Sequence, residues 1–316
     1  MTWNIDPVLG HLGPLEIRYY GLFFAIGLLL GARALPIYFE RWGLPKKEGE
    51  SLALWLPIGM ILGAHYVHLI FYEPDGLTDF ELPFFGGDRW GRFWSIGSGL
   101  ASHGGGAGAI LTLWIWAWRH KRSFWEYVDA AMSAAFWVIP FVRIGNFFNS
   151  EIVGRPWDGP WAVRFPRHDC AGYRDFICPG GEAPLRHPSQ IYEALIAFSI
   201  LGLSVWLQRK RVKQLRSGVI FLILLGLYFL TRTLVELVKS TQGVDDNLPL
   251  TMGQMLSIPI VTACLLLLLA TKRFSVWRPM PAPAPAPADT EKSKKAGAAE
   301  ASSASPAPKK KKKKAR

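Results

Sequence analysis

Seven long apolar runs constrain this chain more than any other feature. They cover roughly residues 17–39, 51–72, 97–118, 126–147, 188–208, 217–238 and 251–271. Each is near the ~20 residues that an α-helix needs to cross the hydrocarbon core of a bilayer. A backbone in lipid has to satisfy its own polar groups, and a helix does so within one segment. The expected class is therefore an all-α polytopic membrane protein of about seven transmembrane helices. Half of the 316 residues are hydrophobic, which agrees with that class. The start, MTWNIDP, lacks a basic leader and the first run is long enough to stay as a span, so no cleavable signal peptide is expected.

Loop charge predicts the direction of the spans, because Lys and Arg collect on the cytoplasmic side. Basic residues follow the first run (Arg41, Lys46, Lys47), the third (RHKR, 119–122), the fifth (RKRVKQLR, 209–216) and the seventh. The other connections are acidic or mixed, with Glu73, Asp75, Asp79, Glu81 and Asp88 in one and Asp245 and Asp246 in another. The N-terminus is thus expected outside and the C-terminus in the cytoplasm. The largest outer connection, about 148–187, holds enough Pro, Gly and Trp to form a small extracytoplasmic head.

The net charge of +12 is concentrated in a tail. Residues 272–316 carry 13 Lys/Arg against 3 Asp/Glu, a surplus of 10 that leaves +2 for the rest of the chain. Two domains follow: a transmembrane domain over 1–278 and a disordered Ala/Pro/Lys-rich tail over 279–316. Weak attraction of the tail to membrane lipids is expected, and nucleic acid is not, because no folded basic module accompanies the lysines. Cys264 lies in an apolar run and reads as a packing residue. Cys170 and Cys178 stand close together in the head, where they either pair or stay free according to the compartment. No Cys-x-x-Cys or His-x-x-x-His set supports a metal site.

With that topology, polar residues of most spans fall at one level, towards the outer leaflet. They are Tyr20, His65, His68, His103, Arg143, Asn146, His187, Gln190, Glu193, Tyr228, Arg232, Glu236 and Gln254. The inner halves of the spans read as almost purely apolar. The densest stretch is RIGNFFNSEIVGRPWDGPW, 143–161, where Arg143, Asn146, Asn149 and Glu151 arrive as a span ends and Gly154, Pro156, Gly159 and Pro160 shape a loop. Arg143 and Asn146 share a helix face. Each feature also has a plainer reading. Arg143 is an interfacial anchor, Arg232 and Glu236 are an intrahelical ion pair, the glycines at 104, 105, 106 and 108 are helix-packing residues, and Trp157 and Trp161 are interfacial anchors. Taken together, a one-sided polar chamber suits a reaction on a lipid head group. A transporter would place polar groups near the midplane and on both sides, and a purely structural protein would not need arginines beside hydrocarbon.

Four motifs then carry a resemblance. RIGNFFNSEIVGRP (143–156), RHPSQIYEA (186–194), SHGG (102–105) and YFLTRTLVE (228–236) lie in order between Tyr20 and the GQMLSIP of 253–259. In these the chain resembles the prolipoprotein diacylglyceryl transferases, bacterial inner-membrane enzymes. The resemblance implies transfer of the sn-1,2-diacylglyceryl group from phosphatidylglycerol to the lipobox cysteine of a prolipoprotein signal peptide. A thioether forms, glycerol phosphate is released, and no cofactor or metal takes part. It implies catalytic roles for His103, Arg143, Arg232, Glu151 and Tyr20, and substrate binding by Arg143, Asn146, Gly154, His187, Tyr228 and Glu236. The active site is expected towards the outer leaflet. The chain departs from the family pattern at Val142, at His65 and over KSTQGVDD (239–246), and the Cys170–Cys178 loop and the tail are additions. A divergent paralogue, or a membrane protein that binds or moves lipid at an outer-leaflet site, is the alternative.

Overall fold

The computed structural model describes residues 1–13, 15–81, 91–96, 101–210, 215–240 and 250–270, with the backbone alone for Leu15, Ser102, His103 and Met252. It is an all-α polytopic membrane protein. A hairpin of β1 (Val8–Leu12) and β2 (Leu15–Arg18) leads into α1 (Tyr19–Arg41) and α2 (Lys46–Tyr72). α3 (Ser102–Arg119), α4 (Phe124–Ala135) and α5 (Ile139–Phe148) follow. A loop segment with a two-stranded sheet of β3 (Val163–Arg164) and β4 (Leu185–Arg186) then gives way to α6 (Ser189–Lys210), α7 (Val219–Val235) and α8 (Met252–Ala270).

Among the described residues, six segments are long and apolar enough to cross a membrane: Tyr19–Arg41, Lys46–Tyr72, Phe124–Phe148, Ser189–Lys210, Val219–Val238 and Gly253–Ala270. The third expected run, 97–118, begins outside the described residues, and its described part is the 18-residue α3. Large apolar side chains stand exposed along these helices, Leu54 at 70% and Trp118 at 74% among them. Such surfaces are stable against lipid and costly against water. The tail lies outside the described residues, as do residues 82–90 of the connection after α2 and the segment 241–249.

The sequence predicts one unbroken fourth span over 126–147, and the structure breaks it. The α-helical pattern stops at Ala135 and restarts at Ile139. Pro140 in the first turn of α5 has no N–H for an α-helical bond, so the bend falls just before it. Trp137 and Val138 instead donate to Ala134 and Ala135 three residues back. α1 presses against this bend through Gly27 and Gly31. A Cβ at Gly27 would lie 3.0 Å from Val138 Cα, and one at Gly31 2.9 Å from the Ala134 carbonyl. The main core gathers here and below, with Phe39, Tyr127, Phe136, Ile220 and Leu224 fully buried.

The reading of the inner halves as apolar is also corrected. Asp129 on α4 is fully buried and accepts from the backbone N–H groups of Gly218 and Phe221, both at 2.6 Å. It thereby caps the start of α7, where the first N–H groups have no partner inside the helix. Gln208 donates to Ser133 Oγ at 2.8 Å and accepts from the Trp42 indole N–H at 2.9 Å. Ser133 Oγ in turn donates to the Asp129 carbonyl. The net is polar, buried and closed upon itself.

The head expected over 148–187 is organised by a second small core of Phe147, Val153, Val163 and Phe165, on which Trp3 packs. The N-terminus joins it: Trp3 N–H donates to the Arg164 carbonyl and Arg164 N–H to that of Met1, both at 2.9 Å. Arg186 grips the Asp169 carboxylate with Nε and Nη2, both side chains being largely buried. Cys170 and Cys178 form a disulfide. Of the two readings left by the sequence, the paired one holds.

Candidate active site

Helix periodicity places Arg143 and Asn146 on one face of α5, and α5 ends one turn later. Arg143 reaches three elements. Its Nη1 lies 3.4 Å from Asn146 Oδ1 and 3.2 Å from Glu193 Oε2 on α6, and its Nη2 donates to the Tyr228 hydroxyl on α7 at 3.3 Å. Glu193 is shared, because its Oε1 takes Lys239 Nζ at 3.1 Å. Arg143, Glu193 and Lys239 are all nearly buried, at 13%, 9% and 8% side-chain exposure. Three charges held this far from water must be paired. Arg143 is therefore a side chain built into the interior rather than an interfacial anchor.

The chain beyond α5 is held in a strained shape that fixes Glu151. Ser150 and Ile152 on either side have φ of 54° and 58°. That region is uncommon for any side chain and an outlier for a β-branched one. Bonds from several directions hold it there. Glu151 N–H donates to the Asn146 carbonyl, Gln190 Nε2 to the Glu151 carbonyl at 2.8 Å, and Ser189 Oγ to that of Ile152 at 2.8 Å. The Glu151 carboxylate then accepts from Asn146 Nδ2 at 2.8 Å and Asn149 Nδ2 at 3.3 Å. Asn146 thus bridges Arg143 and Glu151.

Tyr20 enters through Gly145. Its ring lies on that glycine, and an added Cβ would come within 2.8 Å of Tyr20 Cδ2. Gly154 is a strut. It sits between His187 and Val238, and a Cβ there would meet the backbone carbonyls of both. Its N–H donates to the His187 carbonyl, and its own carbonyl accepts from Arg186 Nη1 and Ser240 Oγ. Arg155 N–H and Nε add bonds to the Val238 and Lys239 carbonyls. The loop after α5 is so joined to the segment after α7, which brings Lys239 to Glu193.

The side chains of His187, Arg232 and Glu236 make no hydrogen bond or ion pair with Arg143, Asn146 or Glu151 among the described residues. His187 stacks on Trp157, with ring centres 4.2 Å apart, and its Nδ1 lies 3.2 Å from the Tyr192 hydroxyl. That hydroxyl also accepts from Trp161 Nε1 at 2.7 Å. Burial lowers the His187 pKa, so the ring favours its neutral form. Trp157 is therefore a partner of His187, while Trp161 remains 60% exposed. Arg232 and Glu236 do not form the intrahelical pair offered by their spacing, and Arg232 has no ion pair among the described residues. The Glu236 carboxylate instead lies over Gly253 in the first turn of α8, leaving Oε2 buried and without a hydrogen bond among the described residues. His103 stands in the first turn of α3, and its side chain lies outside the described residues. Two glycines beside it do pack helices. A Cβ at Gly104 or Gly108 would strike the backbone of Gly63 or Gly59 on α2, whereas Gly106 faces open space.

Glu193 and Lys239 are the two members that sequence reasoning did not single out as site residues. Glu193 stood in view as the last polar residue opening its span, and Lys239 only as a departure from a motif. Among the described residues no group of three or more His, Cys, Asp or Glu is placed to hold a metal ion. The donors present are guanidinium, ammonium, amide and phenol, a set that matches an anion.

A family model described as prolipoprotein diacylglyceryl transferase matches residues 7–270. The chain belongs to this family. Curated relatives named phosphatidylglycerol–prolipoprotein diacylglyceryl transferase agree over nearly their whole length. One from Tolumonas auensis is 34% identical over 86% of this chain and 98% of its own. One from Porphyromonas gingivalis is 36% identical over 83% and 92%, and one from Pseudomonas syringae 34% over 85% and 95%. The transferase match takes in every element from the hairpin to α8 and stops short of the Lys-rich tail.

Proposed function

We propose that this chain transfers the sn-1,2-diacylglyceryl group of phosphatidylglycerol to the lipobox cysteine thiol of prolipoproteins, releasing glycerol phosphate. The family and the names of its relatives support the reaction. The observation that carries it to particular atoms is the buried Arg143, held by Tyr228, Asn146 and Glu193, with Arg232, which has no ion pair among the described residues, one turn beyond Tyr228 on α7.

The chemistry explains why two guanidinium groups are useful. The cysteine sulfur attacks the glycerol carbon that bears the phosphate ester. A C–S bond forms, the C–O bond breaks, and its electron pair goes to the departing phosphate oxygen. The phosphate gains negative charge as it leaves, so a cation already in place favours the transition state over the bound lipid. Arg143 and Arg232 hold the phosphate, since a guanidinium fork matches its oxygens. The thiol must lose its proton to become a nucleophile, and His103 takes it. Glu151, Asn146, Tyr20 and Gly154 position the loop and head group, and Tyr228, Glu236 and His187 complete the lining. The signal-peptide helix enters laterally between spans.

The same reading places the protein in the bacterial inner membrane as about seven spans, N-terminus outside, with this cluster at the outer leaflet. Basic residues at 41–47, 119–122 and 209–216 support that direction. The disulfide in the head supports an oxidising compartment on the cluster's side. The domain boundary is set near residue 278, with the tail beyond it in the cytoplasm. The test uses purified full-length protein with phosphatidylglycerol and a lipobox peptide. The expected result is a mass gain of one diacylglyceryl unit and an equal release of glycerol phosphate, both absent with a Cys→Ser peptide. No gain with a folded protein would overturn the reading.

A further inference from the structure

A groove of about 660 Å³ runs between α2 and α3 at the end of the bundle away from Arg143. We propose that it binds an anionic glycerophospholipid from the leaflet at that end, separate from the lipid consumed in the reaction.

Two observations carry this. The first is shape. The small-residue crossing of α2 and α3 reaches Gly59, where a Cβ would meet Thr112. The groove extends from that contact past Trp55 and Ser51 to Lys47, and on its inner side to Leu62. Lys47 and Leu62 are fifteen residues apart, which on a helix is about 22 Å. One leaflet of hydrocarbon is about 15 Å deep, half of the core. The length suits one acyl chain with its head group at the Lys47 end.

The second is charge. Lys47, Arg119 and His120 line one end of the groove, while Ile58, Leu62 and Ile115 line its apolar part. Lys47 and Arg119 are exposed and make no ion pair among the described residues. The one carboxylate there, Glu48, is engaged elsewhere. It accepts from the Tyr127 hydroxyl at 2.8 Å and lies 4.0 Å from Arg122 Nε. The mouth is therefore short of negative charge, and a phosphodiester supplies it. A choline or ethanolamine head would return a cation to the same place.

The experiment is native mass spectrometry of the full chain, released from mixed micelles of phosphatidylglycerol and phosphatidylcholine. Arg143→Ala is the background, so that lipid held at the reaction site is weakened throughout. One phosphatidylglycerol is expected to remain bound, and the additional pair Lys47→Gln with Arg119→Gln is expected to lower its retention at least tenfold. Ser51→Trp, which fills the groove and leaves both cations, is expected to do the same. In the otherwise natural chain these three substitutions are expected to leave the rate of transfer unchanged. Equal retention with and without the substitutions, or equal retention of phosphatidylcholine, would overturn the proposal.

Discussion

The Asp129 cluster and the Arg143 cluster are built from similar groups at opposite ends of the same helices, yet they are finished differently. At one end every strong partner of Asp129 is a fixed protein group: two backbone N–H donors at 2.6 Å, with Gln208, Ser133 and Trp42 closing the net around it. At the other end the ledger of donors and acceptors stays open. Among the described residues Arg232 has no ion pair, and Glu236 Oε2 and Asn149 Oδ1 are buried without a hydrogen bond. A polar net that satisfies itself specifies packing. One that keeps a cation in reserve near hydrocarbon has a use for it. The difference also repairs the argument against a transporter. Polar groups do reach the inner end, but they are spent on capping α7 and joining α4 to α6.

The comparison breaks most directly at the two arginines. Arg143→Ala is expected to cut transfer by about 10²–10³-fold, the scale for removing one donor to a developing oxyanion. The protein should still enter the membrane and unfold cooperatively. A variant with near-normal turnover of phosphatidylglycerol in the peptide assay would sink the clamp. Glu193→Gln comes next. It leaves Arg143 and Lys239 sharing a neutral amide, so the guanidinium loses its anchor. A displacement of about 1 Å costs up to about 10²-fold, and kcat/KM is expected to fall towards that value. If Glu193 were structural only, the unfolding temperature alone would drop.

Asp129→Ala tests the closed cluster and should behave in the opposite way. Each buried N–H that it strands costs about 1–3 kcal/mol. The unfolding midpoint should fall clearly while turnover per folded molecule stays near normal. A large loss of specific activity with an unchanged midpoint would show that the two ends are not separable.

How far the sequence foretold these clusters follows from how local they are. Arg143, Asn146 and Glu151 lie within nine residues, and helix periodicity alone put the first two on one face. The apolar runs likewise marked the helices, because the span length is set by the bilayer. The bend at 136–138 was hidden, since AAMSAAFWVIPF is apolar but for Ser133 and only Pro140 hinted at it. Glu193 and Lys239 joined the site through contacts 46 and 50 residues away in sequence. No local pattern encodes such pairs. Asp129 was missed for a related reason. Its partners are backbone N–H groups of a helix start nearly ninety residues later, and a backbone donor carries no letter in the sequence.

The head offers a smaller test. His187 is neutral by preference, with a pKa lowered from its ordinary 6.5 by burial. The unfolded chain therefore binds the proton first as pH falls. The contribution of the neutral ring is complete above about 6.5 and is lost as pH drops through the lower folded value. Replacing it by glutamine is expected to flatten the acid side of the unfolding temperature plotted against pH between about 7 and 5. An unchanged slope would remove His187 from that account.

The smallest effect concerns the strained turn that carries Glu151. Ser150 has φ of 54°, a conformation glycine adopts without penalty, and its buried hydroxyl has no hydrogen-bond partner. Ser150→Gly removes both costs. It also frees the unfolded chain, an opposing term of about 0.5–1 kcal/mol. The net expected is a rise in stability of less than about 1 kcal/mol, read as a small upward shift in unfolding temperature. Activity separates two accounts of the turn. If bonds from Asn146, Gln190 and Ser189 hold Glu151 in place, the glycine variant keeps its kcat/KM, because those bonds are untouched. If the stiffness of a side-chain-bearing residue at 150 is what aims the carboxylate, kcat/KM falls although the fold has gained stability. The first outcome is expected, since three bonds from two helices constrain the loop more tightly than one residue's torsional preference does.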